Sequence, residues 1–167
     1  MLVAGLAAGL WWNSSGRPSF SQLRNERPQT TTTATVAKVV DGDTFIARDR
    51  SGKDLGRVRI LGMDAPEMAR DGKPAMCGAE DAKTELERLL DGHSVALISD
   101  PRQPDKDRYG RLLRYVEVSS TDISESLIRS GHAPNTSSAH SHTRHRVYAA
   151  AQDEAQESQR GMWGSCA

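Results

Sequence analysis

TATVAKVVDGDTFIAR, residues 33–48, reads as two β-branched, nearly alternating runs folded about an Asp-Gly pair, the pattern of a β-hairpin. The pattern continues outward from it. Residues 49–53 are polar and include Gly52, a second turn; LGRVRILGM at 55–63 then alternates Arg57 and Arg59 with Val58 and Ile60 as a third strand. Pro66 cannot serve a strand ladder, so Asp64, Pro66 and Glu67 belong to a loop. GAEDAKTELERLL at 78–90 places Ala79, Ala82, Leu86, Leu89 and Leu90 at helical spacing, with Gly92 as its stop. SVALI at 94–98 and LLRYVEV at 112–118 supply two more strands, separated by the polar loop PRQPDKDRYG. Asp122 caps a second helix, with Glu125 three residues on and Gly131 at its end, and a third helix runs over residues 144–159. Five strands, one helix between the third and fourth and two after the fifth describe an α+β fold: a five-stranded Greek-key β-barrel with three helices on one side.

A chain of 167 residues suits one core plus a tail rather than two domains. Residues 1–12, MLVAGLAAGLWW, are too short to span a bilayer and suit the apolar part of a signal peptide or a membrane-anchor remnant, with Trp11 and Trp12 at headgroup level. Residues 13–32 are polar, contain Pro18 and Pro28 and form a linker, which leaves 33–167 as the folded domain. The formal net charge is zero, so no global positive field marks a nucleic-acid binder and any polyanion must be held by a local cluster. Seventeen arginines against five lysines favour bidentate phosphate contact, a bias that a GC-rich genome produces equally well. The two cysteines, Cys77 and Cys166, form one disulfide in an exported protein and stay reduced in a cytosolic one; without CxxC spacing a metal site is the weaker reading.

Asp41-Gly42 alone is ordinary turn chemistry, and Asp43 is the surplus carboxylate. It becomes a ligand for a hard cation only where another acid converges on it, and Asp64 at the end of the third strand is the candidate. VDGDTF, RVRILGMDAPE and DRYGRLLRYV, in this order and spacing, resemble the staphylococcal nuclease (thermonuclease) family over about residues 33–163. The resemblance implies an OB-type barrel and calcium-dependent hydrolysis of DNA and RNA with little sequence specificity, breaking the P–O5′ bond to leave 3′-phosphate ends. It implies Asp43 and Asp64 as Ca²⁺ carboxylates, the backbone carbonyl of Ala65 as a further ligand where the best-known member has threonine, and Glu67 as the group that deprotonates or orients water. Arg59 and Arg111 match the arginines that hold the scissile phosphate; Arg108 and Tyr109 match contacts to the substrate's other phosphate.

The sequence also departs from the family. NTSSAHSHTRH at 135–145 lacks the tyrosines that stack on a base, so stacking is weaker or falls to His140 or His142. A zinc site from His132, His140, His142 and His145 is the rival to a solvated loop there, and no register organises it. The expectation is therefore a secreted or envelope-anchored, monomeric, calcium-dependent endonuclease acting on DNA and RNA, with no stable protein partner and with membrane contact confined to residues 1–12. The rivals are a noncatalytic barrel that binds nucleic acid or protein, and an envelope protein that binds metal or ligand without cleavage.

Overall fold

Alternation of β-branched residues carries the chain through β1 (Thr31–Asp41), β2 (Thr44–Asp49) and β3 (Asp54–Ile60) as an antiparallel meander. The computed structural model describes residues 27–136 and 142–166; the expected leader or anchor at residues 1–12 and most of the expected linker lie outside them, as does His140. β1 begins two residues before the expected start because Thr31 and Thr32 pair with Ile98 and Leu97 of β4 (Ser94–Ile98). β5 (Leu112–Val118) runs antiparallel to β4 and parallel to β3, with Val58, Arg59 and Ile60 opposite Leu112, Leu113 and Arg114. That parallel pairing closes a five-stranded barrel, leaving no long open edge in the β1–β5 sheet. The two-residue β6 (Thr121–Asp122) folds back on β5.

β3 stops at Ile60 rather than Met63. Leu61 N–H still donates to the Arg114 carbonyl at 2.9 Å, but Gly62 adopts a φ of +84° and turns the chain off the sheet. Residues 63–64 are then held by residues 134–135: Met63 bridges Asn135, and Asp64 N–H donates to the Pro134 carbonyl at 3.0 Å.

The helices are α1 (Ala79–Leu90), α2 (Ile123–Arg129), α3 (His145–Glu157) and a single turn, α4 (Met162–Ser165). α1 buries Ala82, Leu86 and Leu90 against a core that contains Phe45, Val58, Ile60 and Leu97. Asp122 caps α2 as expected, its Oδ1 accepting the Glu125 N–H at 3.1 Å, while its Oδ2 accepts from Arg144 at 2.6 Å and from the Tyr148 hydroxyl at 2.7 Å. One carboxylate thus caps α2 and docks α3. Cys77 and Cys166 are joined by a disulfide across 89 residues, which ties the chain before α1 to the end of α4.

Asp100 is 3% exposed, yet its carboxylate accepts the Tyr115 hydroxyl, the Arg102 N–H at 2.7 Å, and the Thr143 N–H and hydroxyl at 2.6 and 2.9 Å. Burial pushes this carboxyl up, but the hydrogen bonds outweigh it and hold it below the ordinary aspartate range. A depressed folded-state pKa gives stability that is present above about pH 4 and lost as the pH falls through the depressed value. Asp100→Ala is expected to cost about 2–3 kcal/mol at pH 7, where it strands the buried donors. The difference from the parent should shrink at pH 3, as read by urea unfolding at the two pH values.

Candidate active site

The hairpin between β1 and β2 turns through only two residues, Gly42 and Asp43, since Asp41 pairs directly with Thr44. Gly42 has no left-handed φ to accommodate; it is needed for close approach, because a Cβ there would lie 2.7 Å from Ala65 Cβ and 2.8 Å from Ala82 Cβ. The turn is braced by Asp43 N–H donating to Asp41 Oδ1 at 3.1 Å and by Ile60 N–H donating to the Asp43 carbonyl at 2.8 Å. Asp43 is therefore turned inward and only 7% exposed, its Oδ1 accepting the Thr44 hydroxyl at 2.8 Å and its Oδ2 the Ala65 N–H at 3.1 Å.

Asp64 meets Asp43 across one guanidinium. Arg59 of β3 places Nη1 3.0 Å from Asp43 Oδ2 and Nη2 2.5 Å from Asp64 Oδ1. Arg59 Nη1 also donates to the carbonyls of Ile60 at 2.9 Å and Met63 at 2.8 Å, so the group is fixed from four sides. Burial pushes the Asp43 carboxyl up to about 6; the Arg59 charge opposes that rise and the Asp41 charge adds to it.

Arg111 is aimed by Asp107. The Asp107 Oδ1 accepts the N–H groups of Tyr109 and Arg111 at 2.9 and 3.0 Å, and Oδ2 accepts Arg111 Nε at 2.7 Å. One aspartate thereby shapes the loop and orients the guanidinium. Burial pushes the Asp107 carboxyl up, and the hydrogen bonds from Arg111 and Tyr109 more than offset it, holding the group below the ordinary range. The far end of Arg111 reaches Thr44 Oγ1 at 3.4 Å, so Arg111, Thr44 and Asp43 form a chain across the β1–β2 turn. Tyr109 is 68% exposed, with Arg108 donating to its hydroxyl at 2.6 Å and the Arg108 guanidinium 4.7 Å from its ring centre.

These side chains line one cleft of about 130 Å³, in which Asp41, Asp43, Asp64 and Glu67 face Arg59, Arg70 and Arg111. Ala65 lines it too. Among the described residues the Glu67 carboxylate makes no ion pair or hydrogen bond and is left free at the rim. Tyr109 and Arg111 share the adjoining rim with Glu67 and Arg70. Sequence reasoning singled out Asp43, Arg59, Asp64, Ala65, Glu67 and Arg111, and these converge. It missed the orienting role of Asp107, which the D-R-Y-G turn pattern signals, the Thr44 link, and Arg70, for which no sequence signal exists.

No group of three His, Cys, Asp or Glu side chains converges as a ready-made metal cage among the described residues. What the cleft offers instead is carboxylate and carbonyl oxygen at Asp43, Asp64 and Ala65, the donor chemistry of a hard divalent cation, with a buried carboxyl whose negative charge a cation would favour. None of the described histidines lines that cleft. His132 pairs with Ser130 Oγ at 2.8 Å, and His142 is 2% exposed rather than solvated, because its ring packs 5.4 Å from Tyr148 and its Nδ1 meets the Tyr115 hydroxyl at 3.2 Å. A ring buried to that degree has no free face on which a base can stack.

The geometry agrees with the relationships of the chain. Residues 57–165 match the family model described as staphylococcal nuclease homologue. The chain is 31% identical to a thermonuclease of Staphylococcus hyicus over 151 residues, covering 90% of this chain and 85% of that protein. It is 34% identical to a thermonuclease of Staphylococcus intermedius over 135 residues, 77% of this chain and 74% of the other. With the endonuclease YncB of Bacillus subtilis it shares 32% identity over 97 residues, 58% of this chain and 44% of that protein. A closed β-barrel with helices on it, a family match over most of its length and thermonuclease relatives matched along most of theirs lead to one conclusion: the chain belongs to the staphylococcal nuclease family.

Proposed function

We propose that the protein is a calcium-dependent nuclease that hydrolyses phosphodiester bonds of DNA and RNA with little sequence specificity. One observation carries this reading: two acids bridged by one arginine share a small cleft with a free glutamate and a second, oriented arginine. Asp43 and Asp64, with the Ala65 carbonyl, would hold the cation. When bound, calcium supplies positive charge against a phosphoryl oxygen and lowers the pKa of water much less than zinc does, so a separate base is needed.

The protein's own residues do the rest. Glu67 takes the proton of the attacking water as that water adds to phosphorus in line with the leaving O5′. Arg59 and Arg111 donate to the phosphoryl oxygens where negative charge grows, and Asp107 keeps Arg111 aimed without occupying all its donors. Arg108 and Tyr109, exposed at the rim, hold a neighbouring phosphate. The P–O5′ bond breaks, the leaving O5′ takes a proton from solvent and departs as the 5′-hydroxyl, and a 3′-phosphate remains. The thermonuclease and endonuclease names of the relatives support the activity class. The disulfide supports an oxidising compartment, outside the cell or in its envelope. A noncatalytic barrel would have no use for a free Glu67 beside two arginines.

The test is direct. The 167-residue chain should degrade single-stranded DNA and RNA in calcium, stop on addition of a chelator and resume when calcium is restored. Activity that ignores the chelator, or its absence from a folded chain that binds calcium by titration calorimetry, would defeat the reading.

A further inference from the structure

Glu67 lies on a segment whose position depends on a feature that the proposed chemistry does not use. The chain leaves Glu67, turns at Asp71-Gly72 with φ of +52° and +79°, and returns to Met76. Arg70 and Lys73 exchange backbone hydrogen bonds at 3.1 and 2.9 Å, and Met76 N–H donates to the Glu67 carbonyl at 2.9 Å. Residues 67–76 are thus a small hairpin, with Glu67 at one foot and Met76 at the other.

The next residue, Cys77, is bonded to Cys166. The bridge also sits close to the loop itself: a Cβ built on Gly78 would lie 3.7 Å from Pro66 Cγ and 3.8 Å from Cys166 Sγ. Cys166 is in turn anchored through α4, where Met162 N–H donates to the Gly131 carbonyl at 2.9 Å. The returning foot of the Glu67 hairpin is therefore fastened covalently to the layer formed by the end of α2 and by α4. The acids are held differently, since Asp43 is fixed by its turn and β3, and Asp64 by residue 134.

We propose that the Cys77–Cys166 bridge is a positioning element for Glu67, so that the nuclease turns over fast only in the oxidised state. Reduction takes two electrons and two protons from a dithiol, which leaves as its own disulfide; the S–S bond breaks and Cys77 and Cys166 become thiols. The hairpin foot is then released while the cation ligands and both arginines stay in place. A misplacement of about 1 Å in a reacting group is enough to cost a large factor in rate.

The inference rests on the reading of Glu67 as the base, and the experiment separates the two. The full chain is assayed oxidised, reduced with dithiothreitol, and as the Cys77→Ser/Cys166→Ser variant, at a temperature where circular dichroism shows all three folded. On loss of the bridge kcat should fall about tenfold or more, KM and the calcium Kd should stay within about twofold, and hydrogen exchange at the Met76 amide should accelerate. Reducing Glu67→Gln should produce no further loss. Met76→Pro, which keeps the bridge and removes both the amide that donates to the Glu67 carbonyl and the Sδ that accepts from the Glu67 N–H, should reproduce the fall in kcat even where the reduced chain does not fold. A reduced or Met76→Pro chain with parental kcat and, for the reduced chain, an unchanged Met76 amide would overturn the inference. Glu67→Gln at parental rate would instead overturn the assignment of the base, and the exchange at Met76 would still report whether the bridge holds the hairpin.

Discussion

Arg59→Ala is expected to lower the rate of DNA cleavage by about 10²–10³, the magnitude of removing one aimed donor from a developing oxyanion. The loss should not come from the metal site. Arg59 occupies the space between Asp43 and Asp64 and neutralises both, so its removal leaves two acids, with Asp41 nearby, free to be compensated only by a cation. Calcium affinity should therefore be maintained or increased while turnover collapses. Those opposite movements distinguish a phosphate-binding arginine from one that merely pairs with carboxylates. Arg59→Lys should rescue little, because a single ammonium cannot span two carboxylates and donate to the carbonyls of Ile60 and Met63 as the fork does. Single-turnover cleavage with calorimetric calcium titration reads both quantities. Parental turnover in Arg59→Lys, or calcium binding lost together with activity in Arg59→Ala, would contradict this role.

The barrel was legible because its strands obey a local rule. The near-alternation in residues 33–48 and the polar loop PRQPDKDRYG that separates the runs of β4 and β5 require no distant information. The end of β3 was not, because it depends on a left-handed Gly62 and on residues 134–136 arriving to pair with 62–64. His142 illustrates the same limit: in a row of polar residues it reads as solvated, and only the long-range approach of Tyr115 and Tyr148 buries it. The acids and arginines of the cleft came from motif resemblance, since nothing local says that Asp43 and Asp64 meet across Arg59. Asp107 could have been found by elementary turn chemistry, an aspartate followed three residues later by glycine, whereas the bond between Met76 and Glu67 had no signal in composition or spacing.

Glu67→Gln is expected to reduce kcat by about 10²–10⁴, the range of general base catalysis, with little change in KM or calcium affinity. Glutamine keeps the length and shape of the side chain, and the hairpin that carries residue 67 is held through backbone groups and the bridge, so geometry survives the change. What disappears is the lone pair able to accept a proton from water. Because the Glu67 carboxylate has no partner among the described residues, the substitution strands no donor, and stability should stay within about 0.5 kcal/mol of the parent. The signature is a loss confined to turnover: single-turnover cleavage at saturating calcium should slow by that factor while calorimetric calcium titration stays parental. Asp64→Asn provides the contrast, losing calcium affinity first and activity as its consequence. Should Glu67→Gln cleave at the parental rate, proton transfer from water belongs to another group, and Asp41, the remaining acid of the cleft outside the proposed cation ligands, becomes the residue to substitute next.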